Sequence, residues 1–378
     1  MNDLYLVWLL SLTNKQFLSR NYKLLKQYNS GKALYEACQG NLDKNMFSDN
    51  DRRELCSCSL DRATELLDKY RKEKIEVITY YDKNYPSFLR EIPSPPAALF
   101  VKGTLPNTCE NPAITIIGTR NCSDDGRKNS AKFAYALSSF GFTVVSGLAR
   151  GIDTYSHKGC LLAATSPTVA VLAGGVDRIY PPENRELYAA ITQNGAVISE
   201  ALPGTEPLRS FFPIRNRILS GMTFGTLIVE TAAKGGSLIT ASCALEQNRL
   251  VFAIPGGLNA SESKGTNALI KEGAIFCNGI SVILEEYYPI YGDKIKVIKE
   301  EKFKENAHKN KELKKSYMQT LDENEQKICQ AIGSEQLSAD AISAKTDIPI
   351  SCTLVLLQQL ELKGIIKPIK GGLYIVRL

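Results

Sequence analysis

Seven short, unbroken apolar runs stand in the middle of the chain, each followed by a polar turn and then, in most cases, by a helical pattern. They are Ile114–Ile117, Thr143–Ser146, Thr168–Ala173, Ala196–Ser199, Thr226–Glu230, Leu250–Ile254 and Ala274–Cys277. A strand with one wet face alternates apolar and polar residues; these do not, so both of their faces need cover. That requirement specifies an α/β fold: a parallel, doubly wound sheet with helices on both faces. Such a sheet binds its ligands beyond the C-terminal ends of its strands. The polar turns fall at those ends: Gly118-Thr119-Arg120, Gly147 through Asp153, Gly174 through Asp177, Glu200, Glu230 through Ser237, and Pro255-Gly256-Gly257.

The flanks have a different texture. Residues 1–72 carry helical patterns broken at Asn29-Ser30-Gly31, at 38–41 and at 48–51, which implies a small helical domain with Trp8, Leu9, Leu24, Leu25, Leu34, Leu66 and Leu67 as its core. Ile75 to Tyr81 alternates like a strand and leads, through prolines, into the main sheet domain at 73–288. A lysine-rich linker follows at 289–316, and 317–378 has the pattern of three helices and a hairpin, a winged helix. There Ser338 and Ser351 are expected to cap the second and third helices, and Gly371-Gly372 to turn the hairpin.

The net charge of +6 hints at nucleic acid until it is located. Nine lysines against five acidic residues lie between Asp293 and Ser316, which accounts for +4 of it. From Ala113 to Tyr288 fifteen basic residues face fourteen acidic ones, so the central domain is close to neutral and any phosphate affinity there is local. Of the ten cysteines only Cys56 and Cys58 are close together, and with His157 and His308 the sole histidines no metal ligand set is complete. Free thiols in a reducing compartment are expected. The run Leu4 to Leu12 is too short to span a bilayer and follows Asp3 rather than a basic leader, so the expectation is a cytoplasmic protein with no membrane partner.

Three stretches carry the chemistry. Gly147 and Gly151 follow a strand directly, with Arg150 between them; glycine lets backbone approach a phosphate, yet a tight strand-to-helix connection needs glycine equally. No Gly-Lys-Ser/Thr closes the turn as in a P-loop. Arg215, Asn216 and Arg217 follow Pro213, and arginines two apart on a helix point to nearly opposite sides. One is therefore expected to face a ligand while the other pairs with a carboxylate such as Glu200 or Glu230. In Lys234-Gly235-Gly236-Ser237 the glycines expose N–H groups, the lysine adds charge and Ser237 can cap the next helix. Asp153, Glu200 and Glu230 could serve as acids, bases or metal ligands, or as partners of the arginines, and His157 has no evident nucleophile beside it.

Taken together, Tyr85-Pro86, Gly118-Thr119-Arg120, SGLARGID at 146–153, FPIRNRI at 212–218, KGGSLITA at 234–241, VFAIPG at 251–256 and GTNALI at 265–270 resemble the DNA-processing protein A family, DprA or Smf. The resemblance covers about 75–288. It implies an extended Rossmann domain between a small helical (SAM-like) domain and a winged helix, a homodimer, and a non-catalytic role: binding single-stranded DNA without base specificity and loading the RecA recombinase onto it during natural transformation. No cofactor and no metal are expected. Carried over by motif, Arg120 contacts backbone phosphate, Phe212 stacks or wedges against a base, and the turns containing Gly118, Thr119, Gly147, Arg150, Gly151, Lys234, Gly235, Gly236 and Ser237 line the DNA site with Arg215, Asn216 and Arg217. Thr119 keeps the hydroxyl of a usual serine, whereas Gly235 replaces a serine and removes a phosphate donor. The winged helix offers no arginine or lysine between Ser351 and Leu362, which disfavours reading of duplex DNA, with Lys367 and Lys370 as the reservation. The alternative from another class is a hydrolase holding one nucleoside phosphate in the same pocket.

Overall fold

The computed structural model describes residues 2–12, 24, 26–40, 53, 59–257, 259–295, 322–333, 335, 337–362, 365–369 and 372–376. They fall in two compact units, Met1–Val297 and Ile298–Leu378. The pair Cys56 and Cys58, most of the lysine-rich linker, Lys370 and Gly371 lie outside the described residues.

All seven apolar runs form strands. In chain order the first unit has β1 (Glu76–Thr79), β2 (Ala98–Gly103), β3 (Ala113–Ile117), β4 (Thr143–Ser146), β5 (Thr168–Val171), β6 (Gly195–Ser199), β7 (Gly225–Ile228), β8 (Leu250–Ala253) and β9 (Ile275–Phe276). They make one nine-stranded sheet in the order β1-β2-β6-β5-β4-β3-β7-β8-β9. From β6 to β9 every pairing is parallel, while β2 runs antiparallel to β6 and β1 antiparallel to β2. The strand expected over Ile75 to Tyr81 is thus an edge addition to the parallel sheet.

Both faces of the sheet are covered, as unbroken apolar strands demand. Ile114 and Ile116 of β3 pack on one side with Phe133, Leu137, Ile152, Ile283 and Tyr287. Ile117, on the other side, joins Leu219, Met222, Ala241, Ala244 and Leu269. The helices Asp124–Ser139, Ile152–Ala163 and Ile280–Tyr291 therefore cover one face, and Phe211–Gly221, Ser237–Glu246 and Lys264–Lys271 the other. This is an α/β, Rossmann-like, mostly parallel sheet.

The order of the strands creates the site. Chain progress runs β3, β4, β5, β6 in one direction and then returns to place β7 on the free side of β3. The turns after β3 and β7 diverge to opposite faces, leaving a crevice at the C-terminal edge, where α/β sheets bind ligands.

Helices Asn2–Leu12, Gly31–Gln39 and Leu60–Lys72 precede the sheet, and Ser30 and Ser59 accept hydrogen bonds from Ala33 N and Asp61 N at the starts of the last two. Trp8, Leu9, Leu24, Leu34 and Leu67 share a core with Ala98 and Phe100 of β2. Leu25 lies outside the described residues.

In the second unit Asp322 and Glu325 form a reciprocal capping box on helix Glu323–Ile332, and Ser338 accepts from Ala341 N at the start of Ala339–Thr346. The third helix is Ile350–Leu362, so Ser351 sits inside it and does not cap it as expected; Pro349 precedes the first residue instead. β11 (Ile366–Ile369) pairs antiparallel with β12 (Leu373–Val376), which also takes the short β10 (Leu337–Ser338) on its other side. Among the described residues no helix is long and apolar enough to cross a membrane.

Candidate functional site

A cavity of about 360 Å³ opens in the crevice between the turns after β3 and β7. Its lining includes Gly118, Thr119, Arg120, Phe212, Arg215, Asn216, Gly235, Gly236 and Ser237. Residues that lie far apart in the chain thus meet there. Asn121, Ala149, Asp153, Ile239 and Thr240 also line it and were not part of the expected set of ligand contacts. Ile239 and Thr240 follow from helical spacing, since i+3 from Gly236 and Ser237 returns to the same face.

Arg120 is exposed on the turn after β3, and its guanidinium carbon lies 4.8 Å from the centroid of the Phe212 ring. Tyr180 meets the same ring edge-on at 5.9 Å. A cation over an aromatic face holds both groups at the cavity. The turn that carries Arg120 is itself braced: Thr119 N donates to Glu230 O at 2.8 Å, and Ile152 N donates to Thr119 O at 3.2 Å. The Glu230 carboxylate is buried and accepts from Ser123 N at 3.0 Å and from the Ser123 hydroxyl, so it anchors the helix that follows the turn.

The two arginines of the 215–217 stretch part company on helix Phe211–Gly221. Arg217 Nη2 lies 2.7 Å from Glu200 Oε1, with both side chains largely buried. Arg215 points to the cavity but is buried, and its Nη1 donates to Gly147 O at 3.0 Å and to Val171 O. Burial lowers its pKa to about 10. Asp153 faces it; burial raises that carboxyl to about 6, against the pull of the Arg215 charge. Asp153 accepts from Ala149 N at 3.3 Å, and so it ties the turn after β4 to the arginine. These carboxylates serve as braces: Glu200 for Arg217, Asp153 for Arg215, Glu230 for Ser123.

Gly147, Arg150, Gly151, Arg217 and Lys234 are not among the cavity's lining residues. Gly147 makes room for the buried pair, since a Cβ there would sit 2.6 Å from Asp153 Oδ2 and 2.8 Å from Arg215 Nη1. Gly151, at φ 72°, lies against the Thr119 and Arg120 carbonyl oxygens, where a Cβ would collide with both. These glycines serve packing of the turn rather than open N–H groups. Arg150 is exposed and ion-paired with Glu183 on the surface. Lys234 is exposed beyond the cavity.

Ser237 departs from its expected role. Gly236 is the N-cap residue of helix Ser237–Glu246, no side chain caps it, and Ser237 is the first helical residue. Its Oγ is buried without a hydrogen-bond partner, although the residue lines the cavity. A buried, unpaired hydroxyl costs free energy that a ligand acceptor recovers. Beside it, Leu238 N and Ile239 N at the start of this ten-residue helix are taken by Gly235 O at 3.1 Å and Gly236 O at 3.3 Å, so what the helix start adds to the cavity is its positive dipole end. His157 is buried in helix Ile152–Ala163, with Nδ1 2.7 Å from Thr168 Oγ1, and burial lowers its pKa to about 3. It is a neutral core residue.

Known proteins resemble the chain over the same region. A family model for DNA recombination-mediator protein A matches residues 76–288, and one for the DprA winged helix domain matches 316–372. The DNA processing protein DprA of Bacillus subtilis is 41% identical over 213 residues, covering 56% of this chain and 71% of that protein. Protein Smf of Escherichia coli is 34% identical over 294 residues, 76% of this chain and 74% of that one. Protein Smf of Synechocystis is 40% identical over 225 residues, 59% of this chain and only 55% of its own length. Among solved structures, DNA processing protein A from Streptococcus pneumoniae superposes with TM-score 0.56 at 32% identity, over 71% of this chain and 97% of that one. DNA processing protein A from Helicobacter pylori, whose structure is described for its single-stranded DNA binding mode, gives TM-score 0.52 at 26% identity, over 57% of this chain and 96% of that one. With the family model spanning more than half of its residues, this chain belongs to the DNA recombination-mediator protein A family, DprA/Smf.

Proposed function

We propose that the chain binds single-stranded DNA at the cavity between the turns after β3 and β7 and, as a homodimer in the cytoplasm, hands the strand to a RecA-class recombinase during natural transformation, without turnover of its own. The observation that carries this is the pairing of a cation with an aromatic face at one cavity: Arg120 stands over Phe212 beside the unpaired hydroxyl of Ser237. A phosphate has a guanidinium, a helix N-terminus and a hydroxyl to bind, and a base has a ring to stack on. Stacking accepts any base, and phosphate contacts carry no sequence information, so the binding is sequence-tolerant. The family membership and the single-stranded DNA bound by the Helicobacter pylori relative support the same conclusion.

Arginine 120 provides the test. In anisotropy titrations with labelled oligo-dT across salt, Arg120→Ala weakens binding and lowers the salt slope by about one. Unchanged binding by folded Arg120→Ala protein sinks the proposed site. Competition by a mononucleotide with release of product points instead to a nucleotide hydrolase, for which Asp153 is the lining carboxylate; its engagement with Arg215 and Ala149 N favours the bracing role.

A further inference from the structure

The same edge of the sheet carries a second cavity of about 300 Å³, which the DNA site described above does not use. Its walls include Phe133, Ile254 and Pro255, and its polar residues are Asn129, Lys132 and Asn278. No hydrogen bond or ion pair engages those three polar side chains among the described residues. No carboxylate lines the cavity. A pocket of mixed polar and apolar lining, with a few disengaged donors and no negative charge, suits a flat heterocycle attached to a phosphate.

We propose that this cavity is a second nucleotide subsite, which takes a base of the same single strand several nucleotides away from the one on Phe212. The inference rests on the DNA-binding function proposed for the first cavity, and three features of the structure connect the two cavities. First, β3, β7 and β8 are consecutive parallel neighbours, so the turn bearing Arg120 and the segment Ile254-Pro255 leave the same edge of the sheet. Two strand spacings separate them, about 10 Å. Second, helix Asp124–Ser139 begins directly after the turn whose Asn121 lines the first cavity, and Asn129 of the second cavity lies five residues into that helix, about 7.5 Å at 1.5 Å per residue. Third, Asn129, Lys132 and Phe133 stand at i, i+3 and i+4, so one helix face presents an amide, an ammonium and a ring edge together. Lys132 is exposed and free to meet a phosphate; Phe133 is buried and forms wall.

This arrangement predicts that affinity depends on length through Asn129 and Lys132. The experiment compares a labelled dT dinucleotide, too short to bridge the roughly 10 Å between the two segments, with oligo-dT of about nine nucleotides, which reaches both cavities. In the double substitution Asn129→Ala/Lys132→Ala the longer strand binds about tenfold more weakly and the shorter one as before. Asn278→Trp, at an exposed position, fills the mouth and gives the same length-selective loss. Arg120→Ala weakens both lengths. If the double substitution and Asn278→Trp leave the longer strand bound as tightly as the unaltered protein, or weaken both lengths equally, the second subsite is wrong while the first stands. Failure of the unaltered protein to bind either length rejects both.

Discussion

Arg217 and Glu200 meet at 2.7 Å in a largely buried ion pair, while Arg215, two residues earlier on the same helix, turns toward the cavity and Asp153. The pair bridges helix Phe211–Gly221 and the end of β6, so it sets the orientation of the helix that carries Phe212. Glu200→Ala leaves a buried guanidinium without its carboxylate, and such losses cost roughly 3–5 kcal/mol. Urea unfolding is the measurement. A Glu200→Ala/Arg217→Met double substitution recovers much of that loss, because two apolar side chains leave no uncompensated charge.

Phe212 is the aromatic surface of the site, held between Arg120 and Tyr180. Phe212→Ala is expected to weaken oligo-dT binding by roughly 1–3 kcal/mol. Its salt slope stays as in the unaltered protein, since no phosphate contact is lost. A changed slope in titrations at several salt concentrations means that Phe212 acts through Arg120 rather than through a base.

Two glycines separate packing from ligand contact. Gly151→Ala forces a side chain into a positive φ and against the Thr119 and Arg120 carbonyls, at about 1–3 kcal/mol in stability, and disturbs binding with it. Gly236 has nothing within 4 Å of its would-be Cβ. Gly236→Ala therefore leaves stability within about 0.5 kcal/mol yet lowers oligo-dT affinity several-fold by placing a methyl group in the cavity wall. Thermal unfolding and anisotropy on the same two proteins check both halves.

Two buried titrating groups act on acid stability with opposite signs. His157 has its pKa lowered by burial from 6.5 to about 3, so the unfolded chain takes up a proton that the folded chain refuses as pH falls from about 6.5 to 3. Its stability contribution is complete above pH 6.5 and is lost through that window, at no more than about 1.4 kcal/mol per pH unit. Asp153 has its pKa raised from 3.8 to about 6, so between about pH 4 and 6 the folded chain holds the extra proton and stability falls as pH rises. His157→Gln should flatten the acid limb of stability against pH, and Asp153→Asn should steepen it. Urea midpoints at several pH values, with both variants changing in the same direction, would contradict the assignment.

The strands and much of the lining were legible in the sequence because their signals are local. Unbroken runs such as Ile114–Ile117 state that both faces are buried, and the glycine turns state where the chain leaves the sheet. Less legible was what each turn does. Gly147 and Gly151 have the composition of a phosphate cradle, but the space beside them is taken by Asp153, Arg215 and the Thr119 and Arg120 carbonyls. Ser237 has the sequence of an N-cap, yet Gly236 takes that position, and the hydroxyl is left unpaired beside the cavity. Arg150 and Lys234 add charge to their motifs in sequence and stand outside the lining in space.

By itself the sequence determined the alternation of strand and helix, the two-sided cover of the sheet and the family motifs, since periodicity, glycine placement and motif order act over a few residues at a time. Tertiary structure alone decided that β7 returns beside β3 and opens the crevice, that Arg120 lies over Phe212, and that Arg217 rather than Arg215 takes Glu200. Those outcomes depend on which strands become neighbours and on which buried charges find partners, and no local pattern encodes either.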